Sequence, residues 1–335
     1  MLRKASATVP LARCLRVLAV ASMLLPLSTA VMAADDKPNG HYTLPEEGNM
    51  VGETYRVDVS EGDTLIDIAQ AHNIGYEEIR NANPETSLWA PEVGTEVVIP
   101  ARYILPPERR EGLVINLAEL RLYYYPETPE GEEPHVETYP IGIGRDGYNT
   151  PLGVTKTTMK VKNPAWYPPA SIRKEAAENG DELPSVVPAG EDNPLGSRAI
   201  LLDLPGYLIH GTNRPDGVGM RVSHGCIRMM PKTIEALFSR IKVGERVNII
   251  DMPVKIGREG ERLYVQSFPQ KEQEIEMGDL ITALDQLSDS ESIPVDYGQL
   301  REALEASGWQ PTVLAPLGDV AGEDETQQWY DVVHG

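Results

Sequence analysis

The sequence predicts a mainly β protein built from successive units, and three observations predict it. Between residues 113 and 251, six short segments rich in Val, Ile, Leu, Thr and Tyr recur between turn residues, with one convincing helix among them. Ahead of them, residues 55–100 read as strand, helix, helix and strand, a small α+β unit. After Met252 the chain turns acidic and weakly amphipathic, a partly helical acidic extension over residues 252–335.

The first 33 residues form a segment apart. Arg3, Lys4, Arg13 and Arg16 precede an apolar run from Val17 to Leu27, and small residues end in Val31-Met32-Ala33. A charged start, a short apolar centre and a small-x-small exit make a secretory signal peptide, with cleavage expected after Ala33. The run is shorter than the ~20 residues of a spanning helix, and a retained N-terminal anchor is the alternative. Losing residues 1–33 removes four positive charges and takes the net charge from −21 to −25. So acidic a surface repels nucleic acid and anionic lipid. Removal also takes Cys14 and leaves Cys226 as the one cysteine of an exported chain, with no partner for an internal disulfide.

In the small unit, Tyr55, Val57 and Val59 alternate as a half-buried strand does. Asp63 or Thr64 suits the cap of a helix carrying Leu65, Ile68 and Ala69. Ile79 and Ala82 mark a second helix stopped by Pro84, and Val97 to Ile99 closes with a strand. "GDTL…IA", "EIRNANP" and "VGTEVVIP" fall in the order of the LysM domain, a glycan-binding module that residues 53–101 resemble. A small packing domain without a ligand is the other reading.

A proline-rich charged linker, "ILPPERREG", follows. Strands are then expected at 113–125, 136–143, 153–161, 199–204, 207–211 and 246–251. The helix begins at Pro231 and carries the stripe Ile234, Leu237, Phe238 and Ile241. Residues 162–198 contain "PAWYPP" and a short helical piece around Ile172–Glu178, an insertion suited to a lid or a substrate wall. In the extension, helices are expected around 272–287 and 296–307, and a flexible tail from Pro311.

"GIGRDG", Gly142 to Gly147, matches the dinucleotide fingerprint after a strand. The fingerprint works only when a helix follows to meet the pyrophosphate, and here Pro151 and Gly153 break any helix. It reads as a glycine-rich turn, with no nucleotide and no cofactor expected.

"RVSHGCIRMM", residues 221–230, carries the chemistry. A cysteine nucleophile needs a thiolate, hence a histidine to take its proton and a depressed thiol pKa. His224 lies two residues away, and His210 ends the "YLIH" strand. Gly211 and Gly225 keep the backbone beside them uncovered, so that N–H groups near the thiol can face a substrate carbonyl. Arg228 can grip a carboxylate by paired hydrogen bonds. Two other readings stay open on residue chemistry alone: a buried filler thiol, or zinc held by both histidines and Cys226 with Asp203 or Asp216.

"HGT" at 210–212 followed by "SHGCIRM" at 223–229 resembles the signature of the YkuD-type (ErfK/YbiS-like) L,D-transpeptidases. "YPIGIG…TPLG" and "VPAGEDNPLG" match the same family, and the resemblance runs over residues 111–251. It implies a β-sandwich-like catalytic domain without metal or cofactor, acting in the periplasm on peptidoglycan. Cys226 would attack the carbonyl between diaminopimelate and the terminal D-alanine of a tetrapeptide stem, leaving a thioester. The acceptor would be a lysine of an outer-membrane lipoprotein, with another stem's diaminopimelate or water as alternatives. His210 would be the base, oriented by the Gly211 carbonyl; Ser223, His224 and Gly225 would shape the loop and oxyanion site. Some relatives carry Asn in place of Arg228. A non-catalytic wall-binding protein is the reading from a different class, and the intact His210/Cys226 pair argues against it.

Overall fold

The structure is a computed structural model of the protein, and it describes residues 40–268 and 309–316 together with positions 278, 284, 298, 300, 301 and 304. The segment read as a signal peptide lies outside the described residues. So do the two helices expected in the extension, apart from those six isolated positions, which are helical. Among the described residues no helix is long and apolar enough to cross a membrane.

The small unit follows its sequence pattern. It comprises β1 (His41–Thr43), β2 (Met50–Gly52), β3 (Tyr55–Asp58), α1 (Leu65–Ala71), α2 (Tyr76–Ala82), β4 (Glu96–Ile99) and β5 (Arg102–Ile104). Helix α1 starts at a capping box: the Asp67 N–H donates to Thr64 Oγ1 at 3.0 Å, and the Thr64 N–H donates back to the Asp67 carboxylate at 3.1 Å. Strands β3 and β4 pair antiparallel, and Leu65, Ile68, Ile79, Val97 and Ile99 are buried between them and the helices.

The larger unit comprises β6 (Gly112–Asn116), β7 (Arg121–Tyr125), β8 (His135–Gly144), β9 (Gly153–Lys162), α3 (Ala170–Glu178), β10 (Arg198–Leu202), β11 (Leu208–His210), β12 (Arg221–Ser223), β13 (Ile227–Met229), α4 (Pro231–Arg240) and β14 (Arg246–Ile250). The sheet order is β8-β13-β11-β10-β9-β14-β6-β7, and β7 pairs again with β8, so the sheet closes on itself like a barrel. The run 113–125, read as one strand, is a hairpin. It turns at Leu117–Leu120, with Leu120 at φ 58°, and the turn hides from the pattern because Leu117, Ala118 and Leu120 are themselves buried.

Both faces of that hairpin are covered, which explains its unbroken apolar run. Leu113, Ile115 and Leu122 join the main core with Ile141, Ile200, Ile209, Ile227, Met229 and the Ile234–Leu237–Phe238 stripe of α4. Val114, Tyr123 and Tyr125 pack instead with Leu65, Ile79 and Val97 of the small unit. Glu78 on α2 and Arg121 on β7 are both buried and paired, with Nη2 to Oε2 at 2.6 Å and Nε to Oε1 at 2.9 Å. The Tyr76 and Glu77 N–H groups at the start of α2 donate to the carbonyls of Val218 and Gly219 at 3.1 and 3.2 Å. The two units therefore share a core, a buried ion pair and a helix cap.

The chain after Met252 departs from expectation. Strands β15 (Val254–Glu259) and β16 (Arg262–Ser267) form a hairpin, and β17 (Thr312–Pro316), where a flexible tail was expected, pairs with β16. The alternation Val254, Ile256, Leu263, Val265 around Gly260 was the available signal. Lys255 docks this sheet: its ammonium is fully buried and donates to Glu119 Oε1 at 2.6 Å, the Ile104 carbonyl at 2.5 Å and the Tyr123 hydroxyl at 3.0 Å. Burial pulls the Lys255 pKa down to about 8, with Glu119 opposing.

Candidate active site

Strands β8, β13 and β11 carry the site side by side. β11 and β13 run parallel, with Ile209 opposite Ile227 and His210 opposite Arg228. Ile209, Ile227 and Met229 turn into the main core. By the two-residue alternation of strands, Leu208, His210, Cys226 and Arg228 share the other face, with Cys226 diagonal to His210. Arg228 also faces Gly142 of β8. The decoy glycines belong here: a Cβ on Gly142 would lie 2.8 Å from the Gly217 carbonyl oxygen, and one on Gly144 would collide with the Tyr148 carbonyl. They admit two crossing segments, and no helix follows them.

His210 is 3% exposed, and its Nδ1 donates to the Gly211 carbonyl at 2.5 Å. Gly211 is fixed in turn, its N–H donating to the Arg198 carbonyl at 3.0 Å. With the proton on Nδ1, Nε2 presents a lone pair. Burial, and then the nearby Arg228 charge, press the ring's pKa down to about 4. The imidazole is thus neutral at physiological pH.

Cys226 is half-buried, and its thiol points at the Gly206 carbonyl at 3.6 Å. No hydrogen bond joins it to the His210 ring among the described residues. Burial pushes the thiol pKa up, against the pull of the Leu208 N–H and Arg228. The depressed thiol expected from sequence is therefore corrected: burial disfavours the charged form of both the thiol and the imidazole, and a neutral histidine supplies no charge to stabilise a thiolate.

The loop before Cys226 is pinned. The Ser223 hydroxyl donates to the Cys226 carbonyl at 2.6 Å and accepts the Gly225 N–H at 3.2 Å. Thr150 Oγ1 donates to the Gly225 carbonyl at 2.8 Å. Gly225 sits at φ 101°, and a Cβ there would meet the Tyr207 ring at 3.1 Å. The Gly225 N–H, expected to face a substrate carbonyl, is thus engaged by Ser223. Arg228 has no carboxylate partner among the described residues, and its buried Nε is unbonded.

His224, expected to shape the loop and oxyanion site, lies against a carboxylate and a guanidinium. Its Nε2 lies 3.1 Å from the Glu175 carboxylate on α3 and 3.2 Å from the Arg145 guanidinium. The Tyr148 hydroxyl donates to the same carboxylate at 2.9 Å, and Arg145 pairs with its other oxygen. The Arg145 hydrogen bond, with Tyr148 and His224 behind it, lowers the Glu175 pKa to about 2. The acids weighed as zinc ligands have other neighbours: Asp203 lies 3.9 Å from Lys156, and Asp216 accepts from Gln70 at 3.3 Å.

The family model of the L,D-transpeptidase (YkuD) catalytic domain matches residues 110–249, and the LysM model matches residues 57–100. The "Probable L,D-transpeptidase YcfS" of Escherichia coli (strain K12) is 44% identical over 237 residues, covering 69% of this chain and 73% of that protein. The chain belongs to the L,D-transpeptidase family. A second relative, the "Probable L,D-transpeptidase ErfK/SrfK" of the same strain, is 44% identical over 64% of this chain and 69% of its own length.

Within this L,D-transpeptidase, sequence reasoning missed Arg145, Tyr148, Thr150, Glu175 and Tyr207. Arg145 stood inside the decoy motif and Thr150 opened the "TPLG" match, so both were in view without a role. Glu175 lies 49 residues from its partner His224, and no local pattern predicts that contact.

Proposed function

We propose that Cys226 is the acyl-carrying nucleophile of a periplasmic L,D-transpeptidase acting on peptidoglycan tetrapeptide stems. The observation that carries this is the neutral His210, tethered through Nδ1, on the same sheet face as Cys226. Attack forms the Sγ–C bond while the thiol proton passes to His210 Nε2. The ring then gives that proton to the departing nitrogen as the diaminopimelate–D-alanine amide breaks. An amine resolves the thioester, its proton returning through the ring to the thiol. The chemistry needs no ATP, since the thioester conserves the energy of the broken amide. The Cys226 N–H is the oxyanion donor left at the thiol once Ser223 has engaged Gly225. Arg228, without an acidic partner among the described residues, serves a substrate carboxylate.

The acceptor we favour is a lysine amine of an outer-membrane lipoprotein. A cavity of about 370 Å³ past the end of β11, lined by Thr212, Asn213, Asn193, Glu191 and Glu235 among others, offers acidic groups to a cationic peptide. The LysM unit would bind glycan strands and raise the local concentration of stems. Incubating the enzyme with a tetrapeptide donor, a peptide ending in lysine and free stems, then weighing the products, tests the reading. Lysine adducts support it. Stem dimers move the acceptor to diaminopimelate, tripeptide alone moves the activity to hydrolysis, and an unchanged donor sinks it.

A further inference from the structure

We propose that Arg145, Tyr148 and His224 form a carboxylate-binding subsite for the peptide substrate, occupied in the resting chain by the Glu175 side chain as a stand-in. The inference rests on the peptide-donor reading above and adds to it a subsite with a resident competitor.

The receptor is firmly built. The Arg145 N–H donates to the Ser223 carbonyl at 2.9 Å, and the Tyr148 N–H donates to the Arg145 carbonyl at 2.9 Å. Ser223 also pairs with Gly144 across β12 and β8. Tyr148 stacks edge-on against His224 at 4.7 Å, and the Arg145 guanidinium lies 5.0 Å from the centre of the Tyr148 ring. A guanidinium and a phenol thus donate to one carboxylate, Arg145 on Oε1 and Tyr148 on Oε2, with the His224 ring nitrogen 3.1 Å from Oε2. Convergence of a guanidinium with a further donor is how proteins recognise carboxylates. The cluster belongs to the loop that presents Cys226, two residues after His224.

The occupant is loosely mounted. Helix α3 buries none of its residues, and its one other ion pair among the described residues, Lys174 with Glu178, is internal. The base of the insertion is pinned by the Trp166–Val187 bridge and by Asn193 donating to the carbonyls of Pro164, Val187 and Pro188. The helix therefore hangs from a fixed base and is tied to the nucleophile loop through Glu175. A half-exposed ion pair of this kind is still reached by solvent, which screens it. A substrate carboxylate exchanging with Glu175 preserves the charge of the cluster, so the exchange costs little, and it frees α3 to move off the cleft. In a chain with 51 acids and 30 basic residues, a cationic cluster beside the thiol is also what lets an anionic stem approach.

The test reads protection of Cys226 from iodoacetamide, followed by peptide mass, with N-acetyl-D-alanine as the carboxylate probe and N-acetyl-D-alaninamide as its neutral match. Glu175→Gln removes the competitor, and a latch closed nine-tenths of the time implies that half-protection comes at about ten-fold lower probe concentration. Glu178→Gln makes the same charge change on the same helix and leaves protection unchanged, while adding Arg145→Gln to Glu175→Gln abolishes the gain. An equal gain in Glu178→Gln, an equal gain with the amide, or no response to Glu175→Gln overturns the subsite. Alkylation needs no turnover, so this failure is separable from failure of the transpeptidase reading. Donors amidated at the terminal or at the diaminopimelate side-chain carboxylate identify the group that is read: its amidation abolishes the fall in KM caused by Glu175→Gln. A fall in KM that survives both amidations overturns the subsite.

Discussion

The imidazole of His210 is tied to its own neighbour, Nδ1 donating to the Gly211 carbonyl at 2.5 Å. A carbonyl here fills the orienting position that a carboxylate occupies in a Ser-His-Asp triad, and the difference matters. A carboxylate would favour the imidazolium; a carbonyl in a buried site fixes the tautomer without supplying a negative charge. The ring stays a neutral base, and its pKa lies near 4.

Thiol reactivity should follow from this. With the Cys226 pKa raised by burial, iodoacetamide alkylation should accelerate only above the ordinary thiol range. His210→Ala should leave that pH profile in place while turnover falls about 10²–10⁴-fold, because a general base is lost and no ion pair is broken. A profile that moves to higher pH in His210→Ala would reveal a thiolate–imidazolium pair and reverse the assignment.

Stability should carry the mark of the same ring. Its folded pKa is depressed from 6.5 to about 4, so between those values the unfolded chain binds a proton that the folded chain does not. The stability is fully present above pH 6.5 and is lost as pH falls towards 4, on the order of 3 kcal/mol in all. Urea unfolding of the wild type and His210→Gln across pH 4–7 should show the steeper slope in the wild type; parallel curves would contradict the shift.

Cys226→Ala should abolish acyl transfer and move the melting temperature little, since the half-buried thiol makes only weak sulfur hydrogen bonds to the Gly206 carbonyl and the Leu208 N–H. Residual turnover, or a melting temperature many degrees lower, would make the thiol a packing group.

Ser223→Ala should behave in the opposite way. It strands the buried Gly225 N–H and the Cys226 carbonyl, at about 1–3 kcal/mol, and loosens the loop before Cys226. Chemical denaturation beside steady-state kinetics should find stability and kcat falling together.

The Glu78–Arg121 pair joins the LysM unit to the barrel. Arg121→Ala should cost about 3–5 kcal/mol by leaving Glu78 buried without a counter-charge, whereas Arg121→Met with Glu78→Leu should recover most of it. Denaturant midpoints of the three proteins decide the matter, and an Arg121→Ala midpoint equal to wild type would mean the units are held by their shared apolar core alone.

Much was legible without coordinates. The strand–helix–helix–strand order of residues 55–100, a cap at Asp63 or Thr64 and the Pro231 helix follow from local pattern, because capping, periodicity and turn chemistry act within a few residues, whereas the roles expected of His210 and Gly211 came with the family resemblance. What escaped was non-local. The pairing of β14 with β6, the β15–β17 sheet docked by Lys255 and the reach of Glu175 to His224 each join segments far apart in sequence. The protonation states escaped for a related reason. Sequence names the thiol and the imidazole, but whether either is charged depends on desolvation by residues folded over them and on the long-range placement of Arg228, and only the tertiary structure decides that.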